Sequence, residues 1–335
     1  MDFAVILKMV VFWLMFSSPV ALFCQDTQAR GEAMLQRARE VSDIRAPDAP
    51  PFTLTVEFSY VDQDLDTIKG TYTELWLSKS QWRRETIAGE FHRIEIGGMN
   101  KRWLLDSGKD VPEQALRLPA LVGVSQLISA NYKFDSIKDP ATGDPDVACT
   151  VTVAEPHKRQ YGFCFHKPSG VLIQTVEPYT LGRRTTNYSC GYGSFRRFGK
   201  ITFPWEMACY LETHRRLEAK LTELKPAQTF DPALFIPSPE ALELDTCLGT
   251  MKPPKAISSR DPVMPSNARG SSSTMLWIIV DLAGKPQNLR IARSGGKAFD
   301  EQALRAVRKW RFQPASCDGH PIAAQISIEV NFTLF

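Results

Sequence analysis

The chain has 335 residues, of which 43% are hydrophobic and 23% are charged. This composition is typical of globular domains and excludes a disordered or fibrous chain, and the length suits two domains. The 40 basic and 37 acidic residues leave a net charge of +3. Because nucleic-acid binding needs a concentrated positive field, no nucleic-acid partner is expected.

The N-terminal segment, residues 1–24, has the pattern of a secretory signal peptide. An apolar run that contains Lys8 ends in small residues and a proline, which is the usual order in such signals. Cleavage after Cys24 would leave Gln25 as the mature terminus of an exported protein. The alternative is an uncleaved anchor, since residues 3–23 are long enough to span a bilayer.

Removal of the signal would leave six cysteines, an even number that favours disulfides in an exported chain. Cys149 and Cys164 are symmetric about the turn-like sequence EPHK, which predicts a bond across a hairpin. Cys190 and Cys209 are symmetric about Gly199 and Lys200 in the same way. The sequence therefore predicts two hairpins that are each closed by a disulfide.

Cys247 and Cys317 remain to form a third bond. No cysteine has C-x-x-C spacing, and the five histidines include no pair at metal-ligand spacing. We therefore expect structural disulfides, no metal site and no cofactor.

The region 25–237 is rich in alternating segments. After an amphipathic helix around Gln28–Val41, the sequence FTLTVEFSY alternates and predicts a half-buried strand. Further strand-like runs occur at Thr71–Leu77, Arg83–Thr86, His92–Ile96, Lys101–Leu105, Val147–Ala154, Tyr161–His166, Leu172–Glu177, Arg183–Tyr188, Ile201–Leu211 and Arg216–Leu224. Leu118–Asn131 has helical spacing. One or two helices among many strands indicate an antiparallel open barrel.

The phrases FRRFGKITFPWEMACYLE and KLTELKPAQTFDPALFIP, together with this element order, resemble the LolA/LolB-like outer-membrane lipoprotein-carrier half-barrel superfamily. The resemblance implies an apolar cavity that binds a lipid or acyl chain and is covered by the 118–131 helix. Its lining would be Phe52, Leu54, Val56, Phe58, Tyr60, Leu121 and Leu127. The alternative is an ordinary packed core, because alternation does not distinguish the two.

Proline and polar residues mark 238–251 as a linker before a second domain, 252–335. Two strands surround the turn LAGKPQ, and a helix follows with Asp300 as its predicted N-cap, Phe299 and Leu304 as a hydrophobic staple, and Pro314 as its end. The last strand is predicted to point one set of side chains inward, Ile326, Ile328, Val330 and Phe332.

The sequences IIVDLAGKPQNLRIARSGG and FDEQALRAVRKWRFQPASCDGHPIAAQISIEVNF resemble the C-terminal domain of TonB-family energy transducers. The fold class expected for the chain is thus α+β, an antiparallel half-barrel followed by a small β-β-α-β domain. The resemblance implies that the final strand accepts an extended peptide from an outer-membrane or periplasmic partner. The residues expected at this edge are Gln325, Ser327, Glu329, Asn331 and Thr333.

No nucleophile elbow, phosphate loop or dinucleotide fingerprint occurs, and the carboxylates Glu74, Glu85 and Glu95 fit a solvated strand face better than an acid–base pair. No catalytic residue is therefore assigned. The preferred hypothesis is a soluble, periplasmic two-domain binding protein of a Gram-negative-type bacterium. Its half-barrel would hold a lipid or lipoprotein segment or serve as a spacer, and its C-terminal domain would dock to an envelope protein. The alternatives are a TonB-type transducer anchored in the inner membrane and an enzyme that uses the half-barrel cavity.

Overall fold

A computed structural model of the protein describes residues 19–62, 65–108, 110–123, 132–138, 143–154, 159–181, 184–247, 249–266 and 270–333. The α-helices in these residues are α1 (Pro19–Ser42), α2 (Glu113–Leu116), α3 (Leu118–Val122) and α4 (Lys297–Val307), and a short 3₁₀ helix covers Pro232–Phe235. None of them is both long enough and apolar enough to span a membrane. Residues 1–18 of the predicted signal segment lie outside the described residues.

The N-terminal domain consists mainly of strands. They are β1 (Phe52–Val61), β2 (Thr67–Ser78), β3 (Gln81–Ala88), β4 (Phe91–Gly97), β5 (Lys101–Ser107), β6 (Tyr132–Lys138), β7 (Val147–Ala154), β8 (Arg159–His166), β9 (Leu172–Leu181), β10 (Arg184–Gly193), β11 (Arg196–Phe198), β12 (Ile201–Phe203), β13 (Glu206–Leu211), β14 (His214–Pro226) and β15 (Leu242–Asp245). Thirteen of them form one sheet in the order β15-β5-β4-β3-β2-β1-β14-β13-β10-β9-β8-β7-β6. The strand pairs are antiparallel, and β11 and β12 form a separate hairpin.

A hydrophobic core packs against this sheet. Every second residue of β1 is buried, as the alternation predicted, and these side chains pack with residues from α1, α2 and α3. Helix α1 lies close to β6, where Gly31 faces the ring of Phe134 so closely that a Cβ at Gly31 would lie 2.2 Å from Cδ1 of that ring. Glycine thus allows the helix to approach the sheet.

The predicted antiparallel open sheet with few helices is confirmed. Two predicted elements differ in extent. The predicted strand Ile201–Leu211 is two strands, β12 and β13, because the two residues between them are not in strand conformation. The helix expected over 118–131 is described only as α3, which ends before Gly123. Residues 124–131, including Leu127, lie outside the described residues. Strand β6 was not predicted.

All three predicted disulfides are present. Cys149 lies directly opposite Cys164 on β7 and β8, and Cys190 lies directly opposite Cys209 on β10 and β13. The hairpin symmetry therefore predicted the correct strand register. The third bond joins Cys247 to Cys317.

The segment 238–251, predicted as a linker, contains β15. This strand pairs with β5, so Leu242 lies opposite Leu104 and Asp245 lies opposite Lys101. Lys101 also forms ion pairs with Glu243 and Asp245. The segment is thus attached to the edge of the N-terminal sheet, because its backbone groups and charges find partners there.

The C-terminal domain contains α4 and eight short or medium strands. They are β16 (Met251–Lys252), β17 (Lys255–Ser258), β18 (Ser272–Val280), β19 (Pro286–Arg293), β20 (Arg311–Gln313), β21 (Ala315–Cys317), β22 (His320–Ile322) and β23 (Ala324–Phe332). The main sheet has the order β19-β18-β23. One face of this sheet packs against α4 through Leu276, Ile278, Val280, Ala303, Val307, Val330 and Phe332.

Both predicted ends of α4 are wrong. The helix begins at Lys297 after Gly296, so Asp300 is inside the first turns rather than at the N-cap. The carboxylate of Asp300 is buried and accepts hydrogen bonds from Thr274 Oγ1 at 2.8 Å and from the Gly295 N–H at 2.9 Å. The helix ends at Val307 instead of continuing to Pro314, because the following residues form β20, which pairs with β17.

Candidate functional site

Strand β23 lies at one edge of the C-terminal sheet. Within the described residues it pairs with β18 alone. Ile326, Ile328, Val330 and Phe332 pack in the core beside α4, as predicted. The other face of β23 carries Gln325, Ser327, Glu329 and Asn331, and Thr333 follows the end of the strand.

The register indicates which backbone groups of β23 point outward. The carbonyl of Ile291 on β19 accepts a hydrogen bond from Val111 of the N-terminal domain, so it points away from β18. Backbone groups alternate in direction along a strand. The backbone N–H and C=O of the neighbouring Arg290 therefore point toward its partner on β18, Trp277. Trp277 in turn lies opposite Ser327. The backbone N–H and C=O of Trp277 point to β19 and thus away from β23. In an antiparallel pair the groups of the opposite residue then also point away, so the N–H and C=O of Ser327 point to the outer edge of the sheet.

The second edge of the sheet, β19, is engaged by the N-terminal domain. The N–H of Val111 donates to the carbonyl of Ile291 at 2.9 Å. Arg290 Nη2 donates to the carbonyl of Gly108 at 2.5 Å. Of the two edges of this sheet, β19 is therefore the one with a backbone contact to the N-terminal domain among the described residues.

The face of the sheet opposite α4 rests on the N-terminal domain. Trp277 packs against the N-terminal core, and Ile279 packs with Leu104 and Leu244. As a result the five residues predicted at the partner edge have different environments: Ser327 and Asn331 are exposed, whereas Gln325, Glu329 and Thr333 are partly buried.

Glu329 belongs to a cluster that joins the two domains. Arg293 Nη2 donates to Glu329 Oε1 at 2.5 Å, and Arg293 Nη1 donates to the hydroxyl of Tyr179 at 3.0 Å. Tyr179 in turn donates to Glu113 Oε2 at 2.7 Å. Burial, together with the charge of Glu113, raises the pKa of Tyr179 to about 12. The tyrosine therefore keeps its proton and can donate to Glu113 while it accepts from Arg293.

A covalent bond adds to these contacts. Cys247, two residues after the end of β15, is bonded to Cys317 on β21. The two cysteines pack with a small hydrophobic cluster of the C-terminal domain. Because β15 is part of the N-terminal sheet, this disulfide ties the C-terminal domain to the sheet edge.

A pocket of about 320 Å³ lies between the domains. Its walls come from β3, β4, β5, α2, α3, β18 and β23, and the lining residues are Arg84, Thr86, Arg93, Glu95, Arg102, Ala115, Leu116, Pro119, Ala120, Trp277 and Gln325. Most of the charged groups are already paired. Arg93 binds both carboxylate oxygens of Asp106, at 2.6 and 2.7 Å.

Behind this pocket Glu74 lies between two guanidinium groups. Arg45 Nε donates to Glu74 Oε1 at 2.8 Å, and Arg84 Nε donates to the same oxygen at 3.2 Å. Burial alone would raise the pKa of Glu74, but the charges of Arg45 and Arg84 outweigh it and lower the pKa to about 2. The carboxylate is therefore ionised at neutral pH.

The expectation of a solvated strand face is wrong for two of the three carboxylates. Glu74 and Glu95 are buried, and only Glu85 is partly exposed. Glu95 contacts Arg102 at 3.4 Å. The sequence signal that could have indicated this is the alternation itself, which places Arg84, Arg93 and Glu95 at inward positions where apolar residues are usual.

The residues predicted to line an acyl-chain cavity are core residues. Phe52, Leu54, Val56, Phe58, Tyr60 and Leu121 are all buried in one packed cluster. They line neither the pocket between the domains nor a second pocket of about 260 Å³ on the outer side of β3 to β5. An apolar cavity remains a prediction.

The C-terminal part of the chain has known relatives. Residues 267–334 match the family of the Gram-negative bacterial TonB protein C-terminal. The same region is similar to protein TonB of Vibrio cholerae, with 35% identity over 68 residues, which are 20% of this chain and 28% of that protein. The chain thus spans about a quarter of this curated relative's length. The resemblance of the C-terminal region to TonB proteins is confirmed.

The chain also aligns with solved structures of low sequence identity. A putative outer-membrane lipoprotein-sorting protein domain from Vibrio parahaemolyticus aligns with a TM-score of 0.41 and 12% identity over 63% of this chain and 97% of that one. A LolA superfamily protein from Nitrosomonas europaea aligns with a TM-score of 0.41 and 10% identity over 61% of this chain and 96% of that one.

Proposed function

We propose that the protein is a periplasmic, non-enzymatic binding protein that docks an envelope or outer-membrane partner. Its TonB-like domain would accept an extended segment of the partner as a new strand beside β23. The observation that carries this proposal is the difference between the two sheet edges. Strand β19 is engaged by the N-terminal domain, whereas the backbone of Ser327 on β23 is directed outward.

Strand addition has a simple physical basis at this edge. Backbone N–H and C=O groups that lack a neighbouring strand are a template for another chain. Ser327 and Asn331 are exposed, so a partner can reach this edge without displacing them from a core. Ile326 and Ile328, which pack on the α4 side, keep the strand in register while the partner binds.

An anchored transducer, and the lipid binding that was expected of the half-barrel itself, are both less well supported. A TonB-type transducer anchored in the inner membrane is expected to present its C-terminal domain on a long spacer, but here a disulfide and the Arg293 cluster attach the domain to the half-barrel. A lipid carrier needs an apolar cavity, but the residues predicted to line one pack against each other. We therefore favour a binding protein whose C-terminal domain is held against the N-terminal domain by these contacts.

The test is capture of an outer-membrane partner by the full chain and its variants. Ser327→Pro removes one outward N–H and leaves the ladder with β18 intact, since proline is tolerated on the open side of an edge strand. We expect Ser327→Pro to weaken capture about tenfold or more, whereas Ser327→Ala binds as the wild type does. Undiminished capture by a folded Ser327→Pro variant would overturn strand addition.

A further inference from the structure

Strand β6 is an end strand of the thirteen-stranded sheet. Within the described residues it pairs with β7 alone, so its other side has no neighbouring strand. The unpaired backbone groups of such an edge are a template for another chain, and proteins usually cover them. On β6 the cover is the side chain of Gln28, which belongs to the N-terminal half of α1.

The amide group of Gln28 binds two backbone groups of the β6 edge at once. Its Nε2 donates to the carbonyl of Tyr132 at 3.1 Å, and its Oε1 accepts from the N–H of Phe134 at 2.9 Å. A residue in a neighbouring strand would bind such groups with its own backbone N–H and C=O. A glutamine amide offers the same donor and acceptor. Gln28 therefore takes the place of a strand residue at this edge.

Helix α1 holds this amide in position. The Nε2 of Gln28 also donates to Glu32 Oε1 at 2.7 Å, so both of its hydrogens are used and its oxygen is left to face Phe134. Gly31, which a Cβ would bring within 2.2 Å of the Phe134 ring, lets the helix approach the sheet. Because Gly31 contacts the ring, the helix lies on the face of the sheet, and Gln28 is the side chain that reaches the edge.

We propose that Gln28 is an edge guard, which prevents the β6 edge from pairing with the β6 edge of a second copy of this chain. Lys133 and Asp135 are exposed on either side of the buried Phe134. In an antiparallel pair of β6 strands centred on Phe134, each lysine would lie opposite the aspartate of the other copy, and such pairs stabilise a sheet. A bulge between Phe134 and Ser136 shortens the regular edge. The pair is therefore weak enough for one side-chain amide to prevent it.

The experiment compares the full chain with Gln28→Ala by sedimentation velocity over a series of protein concentrations, after circular dichroism has shown that both are folded. We expect Gln28→Ala to form dimers at concentrations at which the wild type does not. In the monomer of Gln28→Ala, hydrogen exchange of the Phe134 amide should be about tenfold faster, because its hydrogen-bond acceptor is lost.

The matched control is Gln36→Ala. Gln36 lies on the same helix, is exposed and donates to Glu40 at 3.1 Å, as Gln28 does to Glu32. This variant should sediment like the wild type. A folded Gln28→Ala variant that sediments like the wild type would overturn the edge guard, and so would equal association of Gln28→Ala and Gln36→Ala.

A second substitution in Gln28→Ala tests the identity of the occupant. Lys133→Glu would place a glutamate opposite Asp135 of the other copy, so it should weaken the association. Lys138→Glu makes the same change at an exposed position of β6 that lies beyond the pair centred on Phe134, and it should have a smaller effect. Equal effects of the two substitutions would overturn this pairing of two copies.

Discussion

Arg45 and Glu74 form an ion pair inside the N-terminal domain, with side chains that are 7% and 0% exposed. Arg45 lies just after α1 and Glu74 lies on β2, and Arg45 Nη1 also donates to the carbonyl of Pro119 in α3 at 3.1 Å. One buried ion pair thus connects the N-terminal helix region, the sheet and the helices that face the C-terminal domain.

Replacement of Glu74 should therefore destabilise the fold strongly. Glu74→Gln leaves Arg45 and Arg84 buried without their counter-charge, and removal of one partner from a buried pair typically costs about 3–5 kcal/mol. Chemical denaturation monitored by circular dichroism will measure the loss. Glu243→Gln, which affects an exposed ion pair with Lys101, is the control and should leave the denaturation midpoint almost unchanged, because solvent screens exposed pairs.

The same carboxylate predicts how stability depends on pH. Its pKa is about 2 in the folded protein and 4.5 in the unfolded chain. Because the folded value is the lower one, the stabilisation is present above pH 4.5 and is lost as the pH falls toward 2. The gap in unfolding free energy between the wild type and Glu74→Gln should shrink over this range. A constant gap would show that Glu74 does not titrate there.

Arg293→Met should loosen the contact between the domains. The change removes hydrogen bonds to Glu329 and Tyr179, and a hydrogen bond to a charged group is worth about 1.5–3 kcal/mol. Amide hydrogen exchange of Val111, whose N–H is bonded to Ile291, will report on the contact and should become faster. Arg305→Met on exposed α4 should leave it unchanged; the same acceleration in both variants would contradict the role of Arg293.

Loss of the disulfide between Cys247 and Cys317 should also weaken the attachment of the C-terminal domain, here by removal of a covalent bond. The bond closes a loop with a sequence separation of 70 residues, and such a bond contributes about 2–4 kcal/mol by restricting the unfolded chain. The double alanine variant should unfold at lower denaturant concentration. An unchanged denaturation midpoint would indicate that the packing of the two domains alone holds the C-terminal domain in place.

Gly31→Ala tests the approach of α1 to the sheet. A Cβ at this position would lie 2.2 Å from the Phe134 ring, and overpacking of this kind costs about 1–3 kcal/mol, more than the gain in helix propensity. Gly191→Ala is the matched control, since no atom lies within 4 Å of the added Cβ. We expect a lower melting temperature for Gly31→Ala alone.

Much of the fold follows from local sequence patterns. The alternation in β1 and in β23 predicted which side chains are inward, and the symmetry of Cys149 and Cys164 about a turn predicted a correct register. These features depend on neighbours in the chain, on a side-chain period of two and on hairpin geometry. Such information is present in a short sequence window.

The ends of α4 and the strand in the predicted linker required the tertiary structure. The sequence pattern predicted Asp300 as an N-cap, but its carboxylate accepts a hydrogen bond from Thr274 on β18. Thr274 is 26 residues away in the chain, so the local sequence does not indicate this contact. Strand β15 forms because β5 offers an unpaired edge. In both cases the deciding partner is distant in the chain.

For the candidate site the sequence determined the outward-facing residues of β23, including Ser327 and Asn331, because alternation assigns every side chain to one of two faces. It did not determine what lies against each face. The tertiary structure decided that β19 is engaged by Val111, that Glu329 is held by Arg293, and that a pocket rich in arginine lies beside Gln325. The physical reason is that packing between the two domains joins groups that no local pattern relates.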